Sequence, residues 1–160
     1  MSERITLELV QQADYRFEVH FDEATLPPLV TDEPPPLGGG CGPDPVRLLG
    51  TAVANCLAAS LLFALRKFKN QAEPMRTVAS VQMARNAQNR LRIERIDVDI
   101  TLGASVAELR SLDRVLGQFE DFCTVTQSVR PAIVVDVRVI DRDGRVLTPA
   151  PADTERAALA

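Results

Sequence analysis

Two cysteines carry the chemistry this chain is equipped to do. Cys56 sits inside a long apolar run, and Cys123 follows a second, amphipathic segment. They are too far apart for a local redox loop of the C-x-x-C type, so only the fold can bring the two sulfurs together. Together they would form a thiol redox centre that cycles between dithiol and disulfide. Apart, each is an ordinary small buried hydrophobe. The neighbours of Cys56 at helical spacing are Leu49, Val53, Ala59, Ser60 and Phe63, an apolar setting in which a thiol is inert unless something offsets its burial. Cys123 opens a short helix-like stretch, where free amide groups favour a thiolate; Glu120 and Asp121 act against it. The third cysteine, Cys41, lies in the Gly-rich run GGGCGP and reads as incidental.

Other chemistries find little support. His20 is the single histidine and lies on the polar side of an alternating segment, so no Cys/His cluster has metal-ligand spacing. Ser60 and Ser128 have no identifiable histidine base. Gly38-Gly39-Gly40 does not open a phosphate loop of the G-x-x-x-x-G-K-[ST] type. No metal or cofactor is expected.

The chain has 160 residues, 46% hydrophobic and 25% charged, which suits one globular domain with a real core. A net charge of −4, no Trp and 4% aromatics argue against nucleic acid, which wants a basic face and stacking rings. The first residues, Met-Ser-Glu-Arg-Ile-Thr, carry no secretory pattern, so a reducing cytoplasm is the expected compartment and free thiols the expected state. Leu48 to Leu65 is uncharged, but Thr51, Asn55 and Ser60 interrupt it and no second span exists. The expectation is a buried core helix and no membrane partner.

The elements that must position the cysteines follow from periodicity. Residues 4–11 and 15–21 alternate apolar and polar, which predicts a half-buried hairpin through Gln12-Ala13-Asp14. A Pro- and Gly-rich stretch up to Pro45 reads as an ordered loop or irregular arm. Asp44-Pro45 supplies an N-cap and a first helical proline, so a helix is expected over 45–69, ending in Arg66, Lys67 and Lys69. Residues 76–102 predict a strand, a turn at 86–89 and a second strand, with a phase slip near Glu94-Arg95 that suggests a bulge. Ser105 and Glu108 form a capping-box pattern. The helix expected after it places Val106, Leu109, Leu112, Leu116 and Phe119 on one face. A short helix from Cys123, a strand AIVVDVRVID and a turn RDGR complete an α+β domain over 1–147, with a frayed tail at 148–160. So few elements cannot cover the Ala-rich helix on every side, so a symmetric homodimer is expected.

Two segments together resemble the OsmC/Ohr family. GPDPVRLLGTAVANCLAASLLFALRK is similar to its first-cysteine helix, and FEDFCTVTQSVRPAIVVDVRV to its second-cysteine segment, in order and at suitable spacing over about residues 4–147. The resemblance implies antiparallel sheets wrapped around long central helices in an intertwined homodimer, with active sites at the interface. It implies a thiol peroxidase acting on organic hydroperoxides or hydrogen peroxide. By the same resemblance Cys56 is the peroxidatic thiol, and Cys123 resolves its sulfenic acid to a disulfide that an external dithiol reduces.

The sequence departs from the family pattern at two positions. The family carries a Glu ten positions before the first cysteine, where Val46 stands, and a Pro after the second, where Thr124 stands. An activating Arg is expected near the N-terminal hairpin; Arg16 is the nearest candidate, and Arg47 is the other. The alternative reading is a non-catalytic member that binds a small hydrophobic ligand at the dimer interface.

Overall fold

Alternation in the first twenty residues builds a hairpin, as expected, in the computed structural model, which describes residues 4–148. β1 (Leu7–Ala13) pairs antiparallel with β2 (Arg16–Phe21), and β2 pairs antiparallel with β3 (Leu29–Thr31). The reversal falls at Asp14, which takes the left-handed conformation at φ 47°, one that Asp tolerates better than most residues. The register slips between Gln11 and Ala13. The expected half-burial of β1 is not seen: Leu7 and Leu9 are each 52% exposed.

The described residues separate into two compact units between Leu49 and Gly50. In the first, the Pro/Gly-rich stretch is ordered around one carboxylate. Asp32, almost fully buried, accepts backbone N–H bonds from Glu33, Gly39 and Cys41. The Cys41 N–H is the strongest influence holding this carboxyl below its usual range; burial works against it. Gly42 lies so close to β3 that a Cβ there would fall 2.2 Å from the Val30 carbonyl oxygen.

The long apolar run forms α1 (Pro45–Lys67). Asp44 caps it by accepting the Arg47 N–H at 2.8 Å, and Pro45 occupies the first helical position. Its 18-residue apolar window, mean hydropathy 2.0, would suffice to cross a membrane by length and composition. Its inner face instead packs as core: Val53, Leu57, Leu61, Ala64 and Leu65 are buried. α1 ends two residues before the sequence suggested, because Lys69 turns left-handed at φ 61°. The Asn70 N–H then bonds to the Leu65 carbonyl and the Lys69 N–H to that of Arg66, at 2.9 Å each, which is a Schellman cap. Glycine usually fills this position, since a Cβ is unfavourable there. Lys69→Gly is therefore expected to raise stability by about 1 kcal/mol, read as a higher urea midpoint at unchanged slope.

The second sheet has the order β4-β5-β6. β4 (Arg76–Arg85) and β5 (Leu91–Thr101) form an antiparallel hairpin. Gln82 opposes Arg95 while Met83 opposes Ile93, so Glu94 is left over as the bulge that the phase slip suggested. Ile96, Val98 and Ile100 consequently face the core, packed with the buried face of α1. β6 (Val134–Ile140) runs parallel to β5, in contrast to the all-antiparallel expectation. The connection from 102 to 133 is long enough for the crossover that a parallel pair requires.

That connection is where periodicity misled. The single helix expected after Ser105 is broken into a 3-10 turn (Val106–Glu108), α2 (Leu112–Leu116) and a second 3-10 turn (Glu120–Phe122), while the short helix expected from Cys123 forms as α3 (Thr124–Val129). Ser111 is left-handed at φ 54°, which interrupts any continuous helix. The preceding residue is fixed by tertiary bonds: the Arg110 N–H donates to Asn70 Oδ1 at 2.7 Å, and Asn70 Nδ2 donates to the Arg110 carbonyl at 3.0 Å. The Glu108 carboxylate does reach back to the Ser105 N–H at 2.7 Å, as the capping pattern anticipated. Of the tail expected to fray, all but Thr148 lies outside the described residues.

Candidate functional site

Two elements of the second unit deliver the paired thiols. Cys56 sits near the middle of α1, partly exposed, on a turn flanked by buried Val53 and Leu57. Cys123 is the residue that caps α3, with extended backbone at φ −81°, ψ 92°, and its side chain is fully buried. Phe119 and Val115, both fully buried, share the core cluster with Cys123 and hold the approach to it. Beyond it, Arg130 pairs with Glu120, and Gln127 Nε2 donates to the Glu120 carbonyl at 3.0 Å, which ties α3 to the preceding turn.

The fold thus does what local sequence could not: it brings Cys56 and Cys123 close enough to influence one another, both as free thiols. The Cys123 sulfur is contested. Burial, above all, pushes its thiol up, and the hydrogen bond to Cys56 and repulsion from it act in the same direction. Thr126 acts the other way. Its Oγ1 lies 3.0 Å from Cys123 Sγ and accepts from the thiol; the same hydroxyl can rotate to donate to a thiolate. Thr126 is itself fully buried. It went unnoticed in the sequence, where its signal is the spacing of three residues that puts a helix's third side chain beside its cap.

The other candidates lie in the first unit. The Arg16 guanidinium donates to Cys41 Sγ at 3.9 Å, a long contact even for sulfur. The exposed Cys41 is therefore less isolated than its loop suggested: its backbone N–H also donates to the Asp32 carboxylate at 3.0 Å. Arg47 pairs with Asp44 in the first turn of α1. Val46, at the position of the family's Glu, brings no carboxylate to that turn. His20 pairs with Glu18 at 2.9 Å on the half-exposed side of β2. Among the described residues no group of three or more His, Cys, Asp or Glu is placed to hold a metal ion.

Comparison with known proteins agrees with this architecture. An OsmC-like protein of unknown function from Vibrio cholerae superposes with a TM-score of 0.73 at 16% identity, over 88% of this chain and 100% of that one. The organic hydroperoxide resistance protein OsmC from Legionella pneumophila gives 0.67 at 13% identity, over 86% and 96%. The organic hydroperoxide resistance protein of Bacillus subtilis gives 0.63 at 13% identity, over 86% and 98%. No curated protein matches. At these identities the structures establish the shared α+β fold. A sequence model described as OsmC-like protein matches residues 38–138, well over half the chain and including both Cys56 and Cys123. The chain belongs to the OsmC-like protein family.

Proposed function

We propose that this protein is a thiol-dependent peroxidase that reduces organic hydroperoxides or hydrogen peroxide through a two-cysteine cycle. The observation that carries the reading is the Cys56–Cys123 contact: a partly exposed thiol beside a buried one. The buried thiol, held protonated, is poorly suited to strike first but well placed to resolve. Cys56, as thiolate, attacks a peroxide oxygen; the O–O bond breaks, an alcohol or water leaves with a proton, and Cys56 becomes a sulfenic acid. Cys123 then attacks that sulfur, water leaves and a disulfide remains, which an external dithiol reduces. By the family resemblance, Arg16 and Arg47 are the candidates for the positive charge that a reactive cysteine needs. Residues 1–147 act as one OsmC-like domain, working in the reducing cytoplasm.

The working form is a homodimer. The outer side of α1 leaves Phe63 66% exposed beside Ala59 and Leu62, and β1 presents Leu7 and Leu9. Apolar surface of this kind marks an interface. A second reading, a non-catalytic member holding a small hydrophobic ligand at that interface, is favoured by Val46 where the family carries its Glu.

Peroxide loss decides between them. Reduced protein with cumene hydroperoxide and excess dithiothreitol is expected to consume peroxide well above the rate of dithiothreitol alone. Background consumption would remove the peroxidase reading. Light scattering is expected to give twice the 17.5 kDa chain mass; a monomer would refute the dimer.

A further inference from the structure

The reductive half of the cycle has a direction, and Thr126 is placed to set it. In a Cys56–Cys123 disulfide an incoming thiolate must approach one sulfur in line with the S–S bond. Cys123 has no exposed surface and sits in the core cluster with Val115 and Phe119, whereas Cys56 is partly exposed. Attack therefore falls on Cys56 Sγ, and Cys123 must depart. A thiolate leaving into a buried site is disfavoured unless a donor meets it. Thr126 Oγ1, 3.0 Å from Cys123 Sγ, is that donor.

We propose that Thr126 is a positioning residue that makes Cys123 the leaving thiolate when an external dithiol opens the disulfide at Cys56. The inference rests on the two-cysteine reading. One thiolate of the dithiol bonds to Cys56 Sγ, the S–S bond breaks, and its electron pair goes to Cys123 Sγ, where the Thr126 hydroxyl donates. At that moment Cys56 is tied up in a neutral mixed disulfide, so it no longer repels the charge on Cys123. The second thiol of the reductant then attacks its own partner sulfur, leaving as a cyclic disulfide and releasing Cys56. The two protons of the dithiol end on Cys56 and Cys123. The hydroxyl serves both states, since it accepts from the Cys123 thiol and donates to the thiolate.

The test uses the full chain in a Cys41→Ser background, with the disulfide made by diamide so that peroxide turnover is not needed. Brief treatment with 2-mercaptoethanol, an acid quench, alkylation and peptide mapping are expected to place the mercaptoethanol adduct on Cys56 and the alkyl group on Cys123. In stopped-flow reduction by dithiothreitol, Thr126→Val is expected to open the disulfide about five-fold more slowly, the worth of one hydrogen bond, and Thr126→Ser to restore the rate. Alkylation of reduced Cys56 by iodoacetamide is the internal reference, because it needs neither peroxide nor a departing Cys123 thiolate; a purely structural effect of Thr126→Val would change both rates. Adducts on Cys123, or equal opening rates in all three proteins, would overturn the inference. The expected order in a protein that ignores cumene hydroperoxide would uphold the inference and remove only the peroxidase reading.

Discussion

Cys56→Ser is expected to abolish peroxide consumption, by about 10³-fold or more, as removal of a nucleophile does. Cys123→Ser is expected to behave differently. Its Cys56 can still attack peroxide once, but no buried thiol stands within reach to condense with the sulfenic acid. One equivalent of peroxide disappears and a Cys56 sulfenic acid accumulates, which dimedone traps and peptide mass spectrometry locates. The asymmetry follows from burial: Cys123 is enclosed in the core and its thiol is pushed up, chiefly by desolvation, while Cys56 keeps a solvent-facing edge. The reverse pattern, with the sulfenic acid on Cys123, would exchange the two roles. Equal background rates in wild type and both variants would leave the pair without peroxidase chemistry.

Phe119→Ala is expected to lower stability by about 3–5 kcal/mol. Phe119 is fully buried in the cluster that contains Cys123, and it is contributed by a short broken segment between α2 and the next turn. Leu57 and Leu61, members of the same cluster, belong to α1 rather than to this segment, so the cavity cannot collapse readily. Phe122, three residues on, is 62% exposed, and Phe122→Ala should change stability by no more than about 0.5 kcal/mol. Urea denaturation of the two variants measures the contrast. Similar midpoints for both would mean that the 105–122 segment contributes little to the core. The same loss should loosen the backbone that delivers Cys123, so disulfide formation in Phe119→Ala should slow even below its unfolding transition.

Much of the frame was legible because it is local. Asp44-Pro45 announced the start of α1 through a cap bond and a fixed φ, both decided within four residues. The skipped beat at Glu94 foretold the bulge because strand side chains alternate strictly, so an extra residue must show as a change of face. The Ser105–Glu108 pattern likewise found its bond. Residues 105–122 were misread for the complementary reason. Their helical spacing is real, but the Asn70–Arg110 hydrogen bonds and the left-handed Ser111 outweigh a weak local preference.

The sequence by itself determined which residues can be a redox pair, where α1 begins, and the family pattern around both cysteines. It also showed Val46 where that pattern carries Glu. Only the tertiary structure decided that Cys56 and Cys123 come together, that β6 lies parallel to β5, that Cys123 is the enclosed member of the pair, and that Thr126 faces its sulfur. The division has a physical cause. Caps, turns and alternation are settled by bonds between near neighbours, whereas the meeting of two distant sulfurs depends on how α1 and the 102–133 crossover pack on one face of a sheet, and no short stretch of sequence encodes that packing.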